Sequence, residues 1–227
     1  MKLSQLKINF TTALQGVYDK EEVHCFFFML CDFFLQYSRF EVSMSQDTVV
    51  SETNIARFEK VLLRLKTQEP IQYILGHTAF YGLTFKVNKH TLIPRPETEE
   101  LVDWVLSNLH DKDRVLEILD IGTGSGCIAI SLAKNIPTAR VSGLDISEKT
   151  LEVAQDNAVK NQVLVSFFKK DILETTALKN KYDVMVSNPP YVRQLEKKAM
   201  KANVLDYEPG LALFVPNEDP LLFYRKI

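Results

Sequence analysis

At the start of the chain apolar positions recur at helical spacing. Leu3, Leu6, Ile8, Phe10 and Leu14 form a loose stripe. Asp19 with Glu21 and Glu22 reads as an N-cap followed by acids in a first turn, and Val23 to Tyr37 runs without Gly or Pro, which predicts a long helix. Polar residues from Ser43 to Asp47 predict a loop. From Glu52 onward Ile55, Phe58, Leu62 and Leu65 share one helical face, and Pro70 ends that helix. Residues 1–70 are therefore expected to be a small helical domain whose Phe-rich helix builds a core.

At Ile71 the texture changes. Tyr73-Ile74-Leu75-Gly76 and Phe80-Tyr81-Gly82-Leu83-Thr84-Phe85-Lys86-Val87 read as two short strands around Gly82, a β-hairpin linker over residues 71–94. Pro96 then suits a helix start, with Glu97, Glu99 and Glu100 in its first turn and Leu101, Val102, Val105 and Leu109 along its apolar face. Beyond it, apolar runs alternate with helical patterns. Val115 to Ile121 is a buried strand leading into Gly122-Thr123-Gly124-Ser125-Gly126 and a helix from Cys127 to Lys134. Val141 to Leu144 is a strand ending at Asp145, Thr150 to Asn161 a helix, and Leu164 to Phe168 a strand with Asp171-Ile172 at its tip. The run from Tyr182 to Ser187 is a strand cut off by Asn188-Pro189-Pro190-Tyr191, and Leu195 to Ala202 a further helix. Strands alternating with helices predict an α/β domain with a parallel sheet over residues 95–227.

Composition narrows the class. The chain has 227 residues, 46% of them hydrophobic, enough for one large or two small packed domains. Its 27 Lys plus Arg against 29 Asp plus Glu give a formal charge of −2, so no global field draws it to nucleic acid or an anionic membrane. Lys197, Lys198 and Lys201 read as a solvated helix face. Cys25, Cys31 and Cys127 lack metal-ligand spacing and are odd in number, which fits free thiols in a reducing cytosol; no metal is expected. No signal peptide is read at the start. The greasiest run, Cys25 to Leu35, is interrupted by Asp32 and falls short of the roughly 20 residues a membrane span requires.

The strand tips carry the chemistry. Alternate glycines let a backbone approach a ligand closely, and the helix behind them offers free N–H groups. Cys127 stands where a dinucleotide G-x-G-x-x-G fingerprint would need its third glycine. Asp145 is placed to accept hydrogen bonds from a ribose diol, and Asp171 to bond an adenine amino group while Ile172 packs its ring. At the last tip the Asn188 side-chain oxygen and the Pro189 carbonyl are two acceptors able to hold both hydrogens of a planar NH2 group. Tyr191 can offer its ring face to a flat substrate. Arg95, between Pro94 and Pro96, is a pinned cation that suits either a clamp near the cofactor or a structural ion pair.

Asp120 through Gly126, Asp145, Asp171 and the Asn-Pro-Pro-Tyr tip together resemble the S-adenosylmethionine-dependent methyltransferases of the Rossmann-like class I fold. With Gln72 to Gly76, the run Leu92 to Glu99 and the helical N-terminus, the chain resembles the HemK family of release factor glutamine methyltransferases. The resemblance implies a cytoplasmic enzyme whose cofactor is S-adenosylmethionine. Its substrate would be the glutamine amide of the Gly-Gly-Gln loop of peptide-chain release factors, with the helical domain docking that protein and no membrane or direct nucleic-acid partner. It implies cofactor contacts at Gly122, Thr123, Gly124, Ser125, Gly126, Asp145, Asp171, Ile172 and Asn188, and substrate handling by Asn188, Pro189, Pro190 and Tyr191, with Asn188, Pro189 and Tyr191 catalytic. Two departures stand out. Val215-Pro216-Asn217-Glu218-Asp219-Pro220 replaces a glycine-rich turn after Glu208-Pro209. Four core strands are found where the class has seven, so the core is expected to be truncated, with the last three strands missing and the Asp183 to Ser187 strand left as an exposed edge. An amino-methyltransferase acting on adenine or guanine in DNA or RNA would use the same tip, and an inactive cofactor-binding fragment is the third reading.

Overall fold

A computed structural model describes residues 1–109 and 114–227. It divides into two compact units, Met1–Leu75 and Gly76–Ile227.

The first unit is helical: α1 (Leu3–Leu14), α2 (Lys20–Leu35), α3 (Arg39–Met44), α4 (Glu52–Lys66) and α5 (Ile71–Leu75). Its core gathers Leu6, Phe10 and Leu14 with Phe27, Leu30, Phe58 and Leu65, the rings of Phe10, Phe27 and Phe58 meeting at centroid distances of 5.7–6.4 Å. The expected long helix ends earlier than Tyr37 because Gln36 turns left-handed at φ 57°. Ser38 and Glu41 then form a reciprocal capping box that starts α3, so Ser43 and Met44, expected in a loop, are helical. The Tyr73–Gly76 stretch is also not a strand. The N–H groups of Tyr73 and Ile74 both donate to the Pro70 carbonyl, at 3.0 and 3.1 Å, which winds the short α5.

The hairpin follows, in the second unit: β1 (His77–Phe80) pairs antiparallel with β2 (Leu83–Lys86). Tyr81 and Gly82 join them at φ 49° and 71°, the positive pair that a two-residue loop matching the strand twist demands. Phe80 and Phe85 enter the same buried cluster as Val102, Ile118, Ile130 and Val141. The remaining elements are α6 (Glu97–Asn108), β3 (Glu117–Ile121), α7 (Cys127–Asn135), β4 (Arg140–Asp145), α8 (Glu148–Lys160), β5 (Val165–Lys169), β6 (Val184–Ser187), β7 (Val192–Arg193), α9 (Ala202–Tyr207), β8 (Phe214–Val215) and α10 (Leu222–Lys226). Leu195 to Ala202 is not one helix: a 3-10 segment, Gln194–Ala199, stops at the extended Met200, and Lys201 begins α9. Lys197 lies over the Phe214 ring at 4.4 Å rather than on a simply solvated face.

The four core strands are parallel in the order β5-β4-β3-β6. The chain steps outward through β3, β4 and β5 and then returns to the other side of β3. The strand order therefore reverses between β3 and β6, and the crevice at that point, beyond the carboxyl ends, is where an open α/β sheet binds ligands. One face is covered by α6, α7, α8 and the hairpin. On the other, Leu119, Ile121 and Leu144 are covered by Phe168, Ile172, Leu178 and Tyr182. Among the described residues β6 pairs with β3 alone, and Met185 on it is 51% exposed.

Candidate active site

The carboxyl ends of all four strands meet one cleft of about 370 Å³. Ile121 stands opposite Leu144 and Ser187 in the register, so the glycine loop, Asp145 and Asn188 leave the sheet side by side. The Ser187 hydroxyl donates to the Ile121 carbonyl at 2.6 Å and ties the two tips together.

The glycine loop is held from several directions. The N–H groups of Gly122 and Thr123 both donate to the Leu144 carbonyl at 2.9 Å. The Thr123 hydroxyl donates to Asp120 at 2.7 Å, and the Ser125 carbonyl accepts from Asn157 of α8 at 2.9 Å. Gly122 and Gly124 sit at φ 72° and 56°, with no protein atom closer than 4.0 Å to where a Cβ would stand, and both line the cleft. Gly126 differs. It does not line the cleft, and a Cβ there would meet Ile130 at 2.9 Å, Ala154 at 3.2 Å and Phe167 at 3.3 Å, so this glycine serves helix packing.

Both oxygens of Asp145 are oriented: Oδ2 accepts from the Gly124 N–H and Oδ1 from the Ser147 N–H, each at 3.0 Å. Burial raises its pKa, while the backbone donors at Ser147 and Gly124 act the other way. Each oxygen keeps a lone pair for a diol. Asp171 accepts from Leu173 N–H through Oδ1 at 2.8 Å and lines the cleft with Ile172. Asp120 is fully buried below the loop, accepting from Thr123 and, at 3.3 Å, from the Ala129 N–H; its Oδ1 has no protein partner. Burial, with a smaller push from Asp145, lifts its pKa from 3.8 to about 7 against those two donors.

Of the residues singled out in the sequence, Gly122, Thr123, Gly124, Ser125, Asp145, Asp171, Ile172, Asn188 and Pro190 line the cleft. Gly126 does not, nor does Pro189, which is buried, nor Tyr191, which is 57% exposed. Arg95 forms the ion pair, at 2.5 Å to Glu208, whose side chain is 2% exposed and also accepts from the Ile93 N–H at 3.2 Å. That pair joins two walls of the cleft, because Pro94 and Arg95 line one and Pro209, Leu211 and Ala212 another. Thr98 and Phe223 line the cleft without having been singled out, and Cys127, read only as a departure from the dinucleotide fingerprint, lines it too. The thiol of Cys127 is pushed by burial up to about 12, so it is an inert wall. Among the described residues no cluster of three or more His, Cys, Asp or Glu could hold a metal, and no helix is long and apolar enough to cross a membrane.

Two open positive-φ glycines, a diol-ready carboxylate and a second acid beside an aliphatic side chain form a cradle that fits the methionine, ribose and adenine parts of S-adenosylmethionine. Comparison with known proteins agrees. The methyltransferase small domain family matches residues 101–206, and the PrmC N-terminal domain matches residues 9–76. A protein named release factor glutamine methyltransferase from Flavobacterium psychrophilum is 52% identical over all of this chain and 80% of its own length. One of the same name from Bacteroides thetaiotaomicron is 46% identical over 95% of this chain and 77% of its own. Among solved structures, the hMettl16 catalytic domain bound to a MAT2A 3'UTR hairpin superposes with a TM-score of 0.50 at 17% identity, over 78% of this chain and 62% of that one, a likeness of fold. With one relative more than half identical along the whole of it, the chain belongs to the release factor glutamine methyltransferase family.

Proposed function

We propose that this chain transfers a methyl group from S-adenosylmethionine to the side-chain amide nitrogen of the Gly-Gly-Gln glutamine of a peptide-chain release factor. The observation that carries this reading is the placement of Asn188, Asp145 and the glycine loop in one cleft, at the ends of β3 and of the two strands beside it.

The cofactor would supply a methyl group made electrophilic by its attachment to a sulfonium: as the nitrogen–methyl bond forms, the carbon–sulfur bond breaks to leave a neutral thioether, and one amide proton is lost to solvent. Gly122 and Gly124 allow the close backbone approach of its methionine end, Asp145 takes the ribose hydroxyls, and Asp171 with Ile172 frames the adenine. The protein's remaining task concerns the amide. Its nitrogen is a poor nucleophile because the lone pair is delocalised into the carbonyl. The Asn188 side-chain oxygen, which lines the cleft, accepts from the substrate NH2 group and favours a pyramidal nitrogen with the lone pair free to attack; the Pro189 carbonyl, which does not line the cleft here, would have to be reached by the seated substrate to act as second acceptor. Such bonds strengthen toward the transition state, where they count most. Alignment of two reactants in one cleft can supply about 7–11 kcal/mol of the barrier. Tyr191 packs against the incoming substrate loop, the N-terminal helical unit docks the release factor, and the reaction belongs to the cytosol.

The test is methyl transfer from labelled S-adenosylmethionine to a purified release factor, with a Gln→Ala version of its Gly-Gly-Gln loop as control. Label that disappears with that substitution supports substrate and atom together. Label on RNA or DNA instead would move the same tip to a nucleobase. Within the enzyme, Asn188→Ala is expected to keep cofactor affinity and lose turnover by about 100-fold or more, and a near-normal rate would remove Asn188 from the mechanism.

A further inference from the structure

Asn188 can orient an NH2 group only if its own carboxamide presents oxygen, not nitrogen, to the cleft. A free carboxamide rotates, so a partner must hold it in place. In the structure the Asn188 Nδ2 donates to Oγ1 of Thr98 at 3.1 Å, a contact spanning 90 residues. The Oδ1 then has no protein partner among the described residues, and Asn188 lines the cleft. Thr98 is itself well held. It is 7% exposed, lies in the first turn of α6, and its N–H donates to the Arg95 carbonyl at 3.0 Å. Arg95 is fixed in turn by the ion pair to the buried Glu208.

We infer that Thr98 is a positioning residue for methyl transfer: its hydroxyl anchors the Asn188 carboxamide by accepting from its NH2 group, which leaves the Asn188 carbonyl oxygen as acceptor for the substrate amide. This rests on the function proposed above and deepens it. With the opposite carboxamide orientation, N–H donors would face the N–H donors of the substrate, and the amide would be turned away. The hydroxyl, not the bulk, of residue 98 is what matters. Thr98→Val keeps the shape and removes the oxygen, whereas Thr98→Ser keeps the oxygen and removes a methyl group.

The experiment compares the parent, Thr98→Val and Thr98→Ser for kcat, for KM toward the release factor, and for cofactor affinity by calorimetry. Thr98→Val is expected to lower kcat about 10- to 100-fold, with cofactor Kd and the unfolding midpoint close to the parent, and Thr98→Ser to recover kcat to within a few-fold. A Thr98→Val enzyme within twofold of the parent, or a fall in cofactor affinity that matches the fall in kcat, would overturn the role. The parent's activity on the release factor and its Gln→Ala control judges the proposed function separately, and if the methyl acceptor proves to be another amide or amine the same ratio is read on it. A readout without turnover runs alongside. The Asn188 side-chain NH2 signals in a 15N correlation spectrum should shift in Thr98→Val and stay near their parent positions in Thr98→Ser; signals unmoved by Thr98→Val would also overturn it.

Discussion

Asp120 is a carboxyl group placed where charge is costly. It is 0% exposed, one oxygen is bonded to Thr123 and Ala129, the other has no protein partner, and its pKa stands at about 7 against 3.8. The folded state therefore holds this proton up to about pH 7, while the unfolded chain releases it near 3.8. Stability from this group is present at low pH and is lost as pH rises from about 4 through about 7. Asp145, also raised by burial, acts in the same direction, so a variant is needed to isolate Asp120. Urea unfolding at pH 5 and pH 8 should show the parent losing on the order of 2–3 kcal/mol more than Asp120→Asn across that interval; equal losses would contradict the assignment. The glycines make a second comparison at this scale. Gly126→Ala combines φ 81° with a 2.9 Å approach to Ile130 and should cost about 2–4 kcal/mol of stability. Gly122→Ala has φ 72° but open space, so it should cost only about 1–2 kcal/mol, with its larger effect on cofactor affinity measured by calorimetry.

Among the elements, α8 joins the hairpin to the glycine loop through one side chain. Asn157 is fully buried; its Oδ1 accepts from the Lys86 N–H at 2.6 Å, and its Nδ2 donates to the Lys86 carbonyl at 3.0 Å and to the Ser125 carbonyl at 2.9 Å. It acts as a strand partner for β2 while holding the loop beside the cleft. Asn157→Leu strands a buried N–H and two carbonyls, and denaturant unfolding should report a loss of about 3–5 kcal/mol, with weaker cofactor binding in whatever remains folded; a loss below about 1 kcal/mol would mean the hairpin is held elsewhere. These connections mark what sequence could and could not show. Each core strand is an apolar run closed by a polar tip, and strand order follows from the chain reversing after β5, so Gly122, Asp145, Asp171 and Asn188 were legible at their tips. Thr98 and Glu208 were not, because their partners Asn188 and Arg95 lie 90 and 113 residues away and only the closed sheet brings them together. The glycine spacing could not show which glycine faces ligand and which faces Ile130. The strand expected at Tyr73 failed on helical turns closed at Pro70, and the loop expected at Ser43 on a capping box formed by Ser38 and Glu41.

At the scale of the whole molecule the consequential feature is β6, the outer strand of the sheet among the described residues. Strand β6 carries the Asn188 tip, is paired only with β3 among the described residues, and is anchored at its start by Asp183. That carboxylate accepts from the Glu117 N–H at 2.8 Å and pairs with Arg114 at 2.7 Å, the backbone bond being the larger cause of its lowered pKa. Among the described residues the outer edge of β6 has no strand partner, and with the half-exposed Met185 beside Leu119 that edge is a short template on which a further strand can add. Natural edges are commonly blunted by lysine, and residue 185 is where a charge would do so with least damage, because its side chain already reaches water while Val186 is 4% exposed and belongs to the core. Met185→Lys should therefore lower self-association, read as light scattering over a concentration series, while changing unfolding free energy by no more than about 1 kcal/mol. Val186→Lys, with the same charge one residue along and pointing to the opposite face, should unfold the domain. Unchanged scattering in Met185→Lys at unchanged stability would show that association runs through another surface.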